Sequence, residues 1–204
     1  SVTPRKWGRT FGDPGMLNAS ALPDDVVLCD ADSRGRTVES LISEFRTAFA
    51  DIEYEVDTQT RIVNAQAFLQ SGRRFVRLYG GLALHPLTND DALVFTLLHE
   101  TGHHSARGRR FAGNPGLACD CLADKWALGA GARALRRRSG RVLNLSSAFR
   151  SLDAVLMSVD VRSGSASRRR SQRPQACWAK FWRTRKSRLS DGGASEPTGP
   201  CYFH

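Results

Sequence analysis

The stretch that decides the fold runs from Thr88 to Arg107 and reads TNDDALVFTLLHETGHHSAR. Its apolar residues recur at helical spacing, which predicts an amphipathic helix over about residues 89–107. Thr88 is expected to cap this helix, and the two acids in the first turn suit the positive end of the helix dipole. Gly108 is expected to mark its end.

The predicted helix carries the pattern His-Glu-x-x-His over residues 99–103. Residues four apart lie on one face of a helix, so His99 and His103 can each direct a ring nitrogen at one point. Zinc binds such nitrogens, and a catalytic zinc site uses three protein ligands and leaves one position for water. Glu100 lies close enough to take a proton from that water without being a ligand. The pattern predicts a zinc-dependent hydrolase, and the alternative is a helix with two ordinary histidines.

A third zinc ligand must come from another part of the chain. A metzincin would have a third histidine six residues beyond His103, and Arg109 occupies that position, which excludes this class. Asp120 and Asp124 are again four residues apart, on a segment predicted to be a second helix. Asp120 is the expected third ligand, and Asp124 is expected to accept the outer N–H of a ligand histidine and so fix its orientation.

Three motifs in this order resemble the M48-like gluzincins, zinc metallopeptidases in which H-E-x-x-H is followed by E-x-x-x-D. The motifs lie within residues 60–130 and are Tyr79-Gly80-Gly81-Leu82-Ala83, His99-Glu100-Thr101-Gly102-His103-His104 and Asp120-x-x-Ala123-Asp124-x-Trp126-Ala127. In that family the Glu of the second motif is the third zinc ligand and its Asp a supporting residue. The resemblance implies a zincin-like fold, peptide hydrolysis and these two roles for Asp120 and Asp124.

The sequence departs from the family at Asp120, where the family usually has glutamate. Aspartate is one methylene shorter, so the second helix must lie closer to the first, or a different atom must bind the metal. Cys119 and Cys121 are the competing ligands, because a thiolate binds zinc and would also leave a position open. A site without a third protein ligand in this region is the remaining alternative.

Other side chains near the predicted site have less defined roles. His104 is expected to point away from the metal, because consecutive residues are rotated by about 100° around a helix. Peptide hydrolysis also needs a donor or cation to stabilise the oxyanion. The sequence does not select among the candidates for this role, which are His85, Tyr79 and the arginines at positions 107, 109 and 110.

The rest of the pattern predicts an α+β fold with a small antiparallel or mixed sheet, an active-site helix and a second ligand-bearing helix. Asn114-Pro115 is expected to begin the second helix, which Gly129 and Gly131 interrupt or end. The strand before Gly80-Gly81 either pairs with an extended substrate or is an ordinary sheet strand. The elements expected besides the active-site helix are a helix at 37–49 that covers the sheet, strands at 52–56, 62–69 and 75–79, and helices at 115–130 and 148–157. The last two strands are separated by Gln70-Ser71-Gly72-Arg73, a connection of hairpin length.

The net charge of +10 is concentrated in one region, because residues 161–190 contain ten Lys or Arg and no acid. The chain is therefore divided into an irregular N-terminal arm (1–25), a zincin-like metallopeptidase domain (26–160) and a basic C-terminal segment (161–204). A solvated tail is favoured over a nucleic-acid site for the basic segment, since no nucleic-acid-binding fold is recognisable. No run reaches the 18 or so apolar residues of a membrane span.

These observations together predict a zinc metalloendopeptidase with a peptide or protein substrate. Zn²⁺ is its cofactor, His99, His103 and Asp120 are the metal ligands, and Glu100 is the catalytic base. The alternative is a weak or inactive zinc-peptidase-like domain that binds a partner through its basic C-terminal segment. The start at Ser1 and several cysteines in loops favour an exported protein, and the sequence defines neither the oligomeric state nor the disulfide pairing.

Overall fold

A computed structural model describes residues 20–22, 26–111 and 114–163 of the chain. The predicted N-terminal arm and basic C-terminal segment lie almost entirely outside the described residues. In chain order the elements are β1 (Ser20–Ala21), α1 (Ala31–Ala48), β2 (Glu53–Asp57), β3 (Ile62–Val63), β4 (Ala65–Gln70), β5 (Arg73–Tyr79), α2 (Gly80–Ala83), α3 (Asp90–Ser105), β6 (Arg110–Phe111), β7 (Asn114–Ala118), α4 (Asp120–Trp126), a π-helical turn (Ala127–Gly131), α5 (Ala132–Ser139) and α6 (Leu145–Ser163).

The main sheet is mixed and has three strands in the order β2-β5-β4. β2 runs parallel to β5, and β4 runs antiparallel to it. β4 and β5 are joined by Ser71-Gly72, whose positive φ angles of 50° and 76° suit a two-residue hairpin turn. The predicted hairpin and the α+β class with a small mixed sheet are confirmed.

β5 is the central strand and is hydrogen-bonded on both sides. The idea that this strand pairs with an extended substrate is therefore wrong, and the outer strands are β2 and β4. The predicted strand at 62–69 is in fact two short strands, and the first of them pairs with β1. At the end of β5, a Cβ on Gly80 would lie 2.6 Å from the carbonyl oxygen of Thr60, so glycine permits this close approach.

α3 is the central helix of the fold. It packs against β4 and β5 on one side and against α4 and α6 on others. The prediction of an amphipathic helix is corrected here, because Leu93, Val94, Phe95, Leu97 and Leu98 are all buried and point to more than one side. α1 covers the sheet at β2, as its apolar spacing predicted, and buries Phe45 in the same core.

Two predicted helix starts are wrong. Asn89, not Thr88, caps α3, and its side chain accepts from the backbone N–H of Ala92. Asn114-Pro115 does not begin a helix, because Asn114–Ala118 is the strand β7, antiparallel to β6. Proline has no N–H to donate and is tolerated in a two-stranded ribbon of this kind. The second helix begins instead at Asp120, with Cys119 as its N-cap residue.

The other helices are longer than the apolar pattern indicates. α1 begins at Ala31 because the Asp30 carboxylate accepts from the N–H groups of Asp32 and Ser33. The glycines at 129 and 131 widen the second helix into a π-turn and do not end it. No helix in the described ranges is both long enough and apolar enough to cross a bilayer.

Candidate metal centre

The two histidines of the His-Glu-x-x-His pattern lie side by side in the interior. His99 and His103 are one turn apart on α3 and are 5% and 8% exposed. Their Nε2 atoms are 3.1 Å apart, and the ring planes are nearly perpendicular. Helical spacing brings the rings to one point, as the sequence predicted.

The outer nitrogen of each ring is held by a different part of the chain. Nδ1 of His103 lies 2.7 Å from the backbone oxygen of Ala118 at the end of β7. Nδ1 of His99 lies 2.8 Å from Oδ1 of Asp124, which is on α4 and is 7% exposed. The β7–α4 segment therefore fixes both imidazoles of α3.

These contacts determine which nitrogens carry protons. A carbonyl oxygen only accepts, so Nδ1 of His103 donates to Ala118. Nδ1 of His99 donates in the same way to the Asp124 carboxylate. In the neutral rings both Nε2 atoms then carry lone pairs, and these face each other at 3.1 Å. Two such lone pairs can share a proton or bind one metal ion.

Asp120 is placed against the same two nitrogens. Its Oδ1 lies 3.6 Å from Nε2 of His99 and 3.7 Å from Nε2 of His103. Two ligand atoms of a tetrahedral zinc ion are about 3.3 Å apart when each lies about 2.0–2.1 Å from the metal. The three separations, 3.1, 3.6 and 3.7 Å, bracket that value. Two imidazoles and one carboxylate therefore have the donor atoms and spacing that a metal ion requires.

Glu100 completes the group of ionisable side chains. A ligand-type atom of His99, Glu100 and His103 lies within 4.8 Å of each of the other two, and this group could hold a metal ion. Glu100 is half-buried, in contrast to the two histidines. Its carboxylate therefore lies beside the facing nitrogens with access to solvent.

The cysteines considered as competing ligands lie on either side of Asp120. Cys119 is the N-cap residue of α4, and its backbone N–H donates to the carbonyl of Arg109. Within the part of the chain that the structure describes, the convergent group consists of His99, Glu100 and His103, and it includes none of Cys119, Asp120 and Cys121. The observation in favour of Asp120 is the distance of its Oδ1 from the two Nε2 atoms, 3.6 and 3.7 Å.

His104 points away from this group, as its position on the helix predicted. Its Nε2 donates to the carbonyl of Phe75 in the sheet at 2.8 Å. Burial lowers the pKa of His104 to about 4, and the bond to Phe75 offsets this only in part. The ring is therefore neutral at physiological pH and anchors α3 to the sheet.

The candidates for oxyanion stabilisation are held in other networks or are exposed. His85 accepts at Nδ1 from the N–H of Leu87, and its Nε2 is 3.2 Å from Oγ of Ser158 on α6. Tyr79 donates to Oε1 of Gln66 at 2.6 Å. The arginines at positions 107, 109 and 110 are exposed on the segment after α3.

Two contributors to the centre carry no side-chain signal in the sequence. Ala118 acts through its backbone oxygen, and its strand was predicted to be helical. Gly102 lies between the two histidines and allows α4 to approach α3. A backbone contact of this kind becomes visible only when the packing of the two helices is known.

The chain matches no protein-family model, and no curated protein or solved structure is significantly similar to it. The resemblance to the gluzincins therefore rests on the motifs alone.

Proposed function

We propose that the protein is a zinc metallopeptidase. The observation that carries this proposal is the pair of buried Nε2 lone pairs that face each other at 3.1 Å, with the Asp120 carboxylate beside both. A metal cation would bind all three groups at once.

His99, His103 and Asp120 would hold the metal, and the donor set of two imidazoles and one carboxylate fits zinc. Zinc would supply a Lewis acid that polarises the scissile carbonyl and makes the attacking water more acidic. The same donor set also occurs in non-haem iron sites, so metal analysis distinguishes the two. The position of Glu100 beside the ligands favours hydrolysis.

Glu100 would move the proton. Its carboxylate accepts a proton from the attacking water, whose oxygen bonds to the scissile carbonyl carbon. The carbon–nitrogen bond then breaks, and Glu100 returns the proton to the leaving amine. One water is consumed for each peptide bond, and Glu100 ends in its starting state.

Asp124 and Ala118 would position the ligands. By accepting from the two Nδ1–H groups, they keep both Nε2 atoms unprotonated and directed at one point. Neither group needs to contact the substrate. They would therefore contribute directly to metal affinity, and to turnover only through the bound metal.

The Glu100→Gln variant tests the proposed chemistry. Glutamine has nearly the same shape but cannot take up the proton, so we expect retained zinc and at least about a 100-fold loss of cleavage of an unfolded protein such as casein. Glu39→Gln, on the exposed face of α1, is the matched control and should cleave like the parent protein. Cleavage at the parental rate by the zinc-loaded Glu100→Gln variant would rule out Glu100 as the base.

A second candidate function is binding of a polyanion by a zinc-peptidase-like domain that has little or no turnover. The observation in its favour is that residues 125–152 contain seven basic residues and no acid, and that α5 exposes Arg133, Arg136 and Arg137. Salt-dependent DNA binding that is lost when Arg133, Arg136 and Arg137 are replaced by glutamine, together with no proteolysis by the zinc-loaded protein, would favour this function.

A further inference from the structure

We infer that Gly102 is the positioning residue that allows an aspartate, rather than the longer glutamate, to serve as the third ligand. This inference rests on the proposed zinc site. It explains how the chain tolerates a short side chain at position 120, and it assigns a role to a residue that has no side chain of its own.

Gly102 is where the two ligand-bearing helices touch. A Cβ built on Gly102 would lie 2.6 Å from the carbonyl oxygen of Ala123 and 2.8 Å from its Cα. Both atoms belong to the α4 backbone, which cannot rotate aside as a flexible side chain can. Ala123 is fully buried, so the backbone has no free space behind it.

The contact lies at the level of the metal centre. Gly102 directly precedes the ligand His103, and Ala123 lies between Asp120 and Asp124 on α4. The distance between the helices at this point therefore sets how far both carboxylates are from the histidines. Asp124 then reaches Nδ1 of His99 at 2.8 Å, and Oδ1 of Asp120 lies within 3.7 Å of both Nε2 atoms.

Any larger residue at position 102 would separate the helices. Restoring an ordinary contact with Ala123 requires a shift of roughly 0.5–1 Å. Metal–ligand distances tolerate only about 0.2 Å. A shift of that size would take Asp120 out of reach, and one added methylene would bring a carboxylate back.

Helix propensity does not account for glycine at this position. Glycine in a helix interior costs about 1 kcal/mol relative to alanine. Gly102 has an ordinary helical φ, since it is not among the glycines with positive φ. Its close approach to α4 is the feature of the structure that requires glycine here.

The test is a cycle of two substitutions, Gly102→Ala and Asp120→Glu, with zinc affinity measured by competition with a chromophoric chelator. Each single substitution should weaken zinc binding by about 10–100-fold. In Gly102→Ala, Asp120 no longer reaches the metal. In Asp120→Glu, the distance between α3 and α4 is too short for the longer glutamate side chain. The double variant should bind zinc at least about 10-fold more tightly than Gly102→Ala alone.

The decisive result is that Asp120→Glu should have opposite effects on zinc affinity in the two backgrounds. Asp120→Glu should weaken zinc binding when Gly102 is present and strengthen it in the Gly102→Ala background. A purely structural role for Gly102 predicts loss in both backgrounds. Gly35→Ala in α1, where a Cβ meets nothing within 4 Å, is the matched control and should leave the affinity unchanged.

The outcomes separate this inference from the proposed function. If the parent protein binds no zinc, the proposed function fails. If the parent binds zinc but Asp120→Glu binds as tightly or more tightly, the inference is overturned, and this result does not depend on the folding of Gly102→Ala. Equal affinities of the Gly102→Ala single and double variants would also overturn it.

Discussion

Oδ1 of Asp124 lies 2.8 Å from Nδ1 of His99. This hydrogen bond connects α4 to α3. Each helix alone offers two ligand-type side chains at helical spacing. The bond between them orients the imidazole that faces His103. The candidate metal centre is therefore a product of the packing of α3 against α4.

Replacing Asp124 by alanine should weaken zinc binding by about 10–100-fold, because the His99 ring loses the acceptor that fixes its orientation. The Nδ1–H would also be left buried, so the free energy of unfolding should fall by about 1–3 kcal/mol. Chelator competition and urea denaturation measure the two effects. Asp51→Ala, which removes an exposed carboxylate bonded to Arg74, should change neither by a comparable amount. Undiminished zinc affinity in Asp124→Ala would show that this bond does not support the site.

The hydroxyl of Tyr54 links α3 to the sheet and should matter for stability alone. Thr101 donates to the carbonyl of Leu97, so the Tyr54 hydroxyl donates to Oγ1 of Thr101 at 2.8 Å. Burial raises the pKa of Tyr54, which keeps this donor protonated. Tyr54→Phe should lower the free energy of unfolding by about 1–2 kcal/mol and leave zinc affinity within about twofold of the parent. A loss of zinc affinity as large as that of Asp124→Ala would contradict the assignment of the Tyr54 hydroxyl to stability alone.

The π-turn after α4 depends on glycine at only one of its two glycine positions. A Cβ on Gly131 would collide with the ring of Trp126, whose Cε3 atom would be 2.7 Å away. That ring packs against Phe49 with a centroid separation of 5.6 Å. Gly131→Ala should therefore reduce the free energy of unfolding by about 1–3 kcal/mol.

Gly129 supplies the matched control within the same turn. Its Cβ would have only the guanidinium of Arg133 nearby, at 3.9 Å. Gly129→Ala should be neutral, or stabilising by up to about 1 kcal/mol because alanine favours helical structure. Equal destabilisation by the two substitutions in urea denaturation would contradict the assigned role of Trp126.

Local sequence patterns were sufficient to predict the elements that are stabilised by contacts between residues near each other in the chain. The apolar spacing before His99 predicted α3, and Ser71-Gly72 predicted the hairpin between β4 and β5. These features depend on residues within one turn or one hairpin of each other. They are present in the structure because contacts with the rest of the chain do not override these local preferences.

Features that depend on distant parts of the chain were missed. Asn114-Pro115 has the local pattern of a helix start, but pairing with β6 makes it a strand, and the Ala118 carbonyl at the end of that strand binds His103. α3 was expected to have a polar face, yet neighbours surround it on several sides. Spacing also identified Asp120 and Asp124 as candidates, whereas the helix contact at Gly102 that brings them into range required the structure.

The measurement that tests the central claim most directly is anomalous X-ray scattering at the zinc edge from crystals of the zinc-loaded protein, with Asp120→Ala crystals for comparison. We predict one anomalous peak about 2.0–2.2 Å from Nε2 of His99, Nε2 of His103 and a carboxylate oxygen of Asp120. The peak should disappear or weaken strongly in Asp120→Ala. The absence of a peak between the two histidines, a peak bound by a cysteine sulfur, or full zinc occupancy without the Asp120 carboxylate would contradict the proposed site.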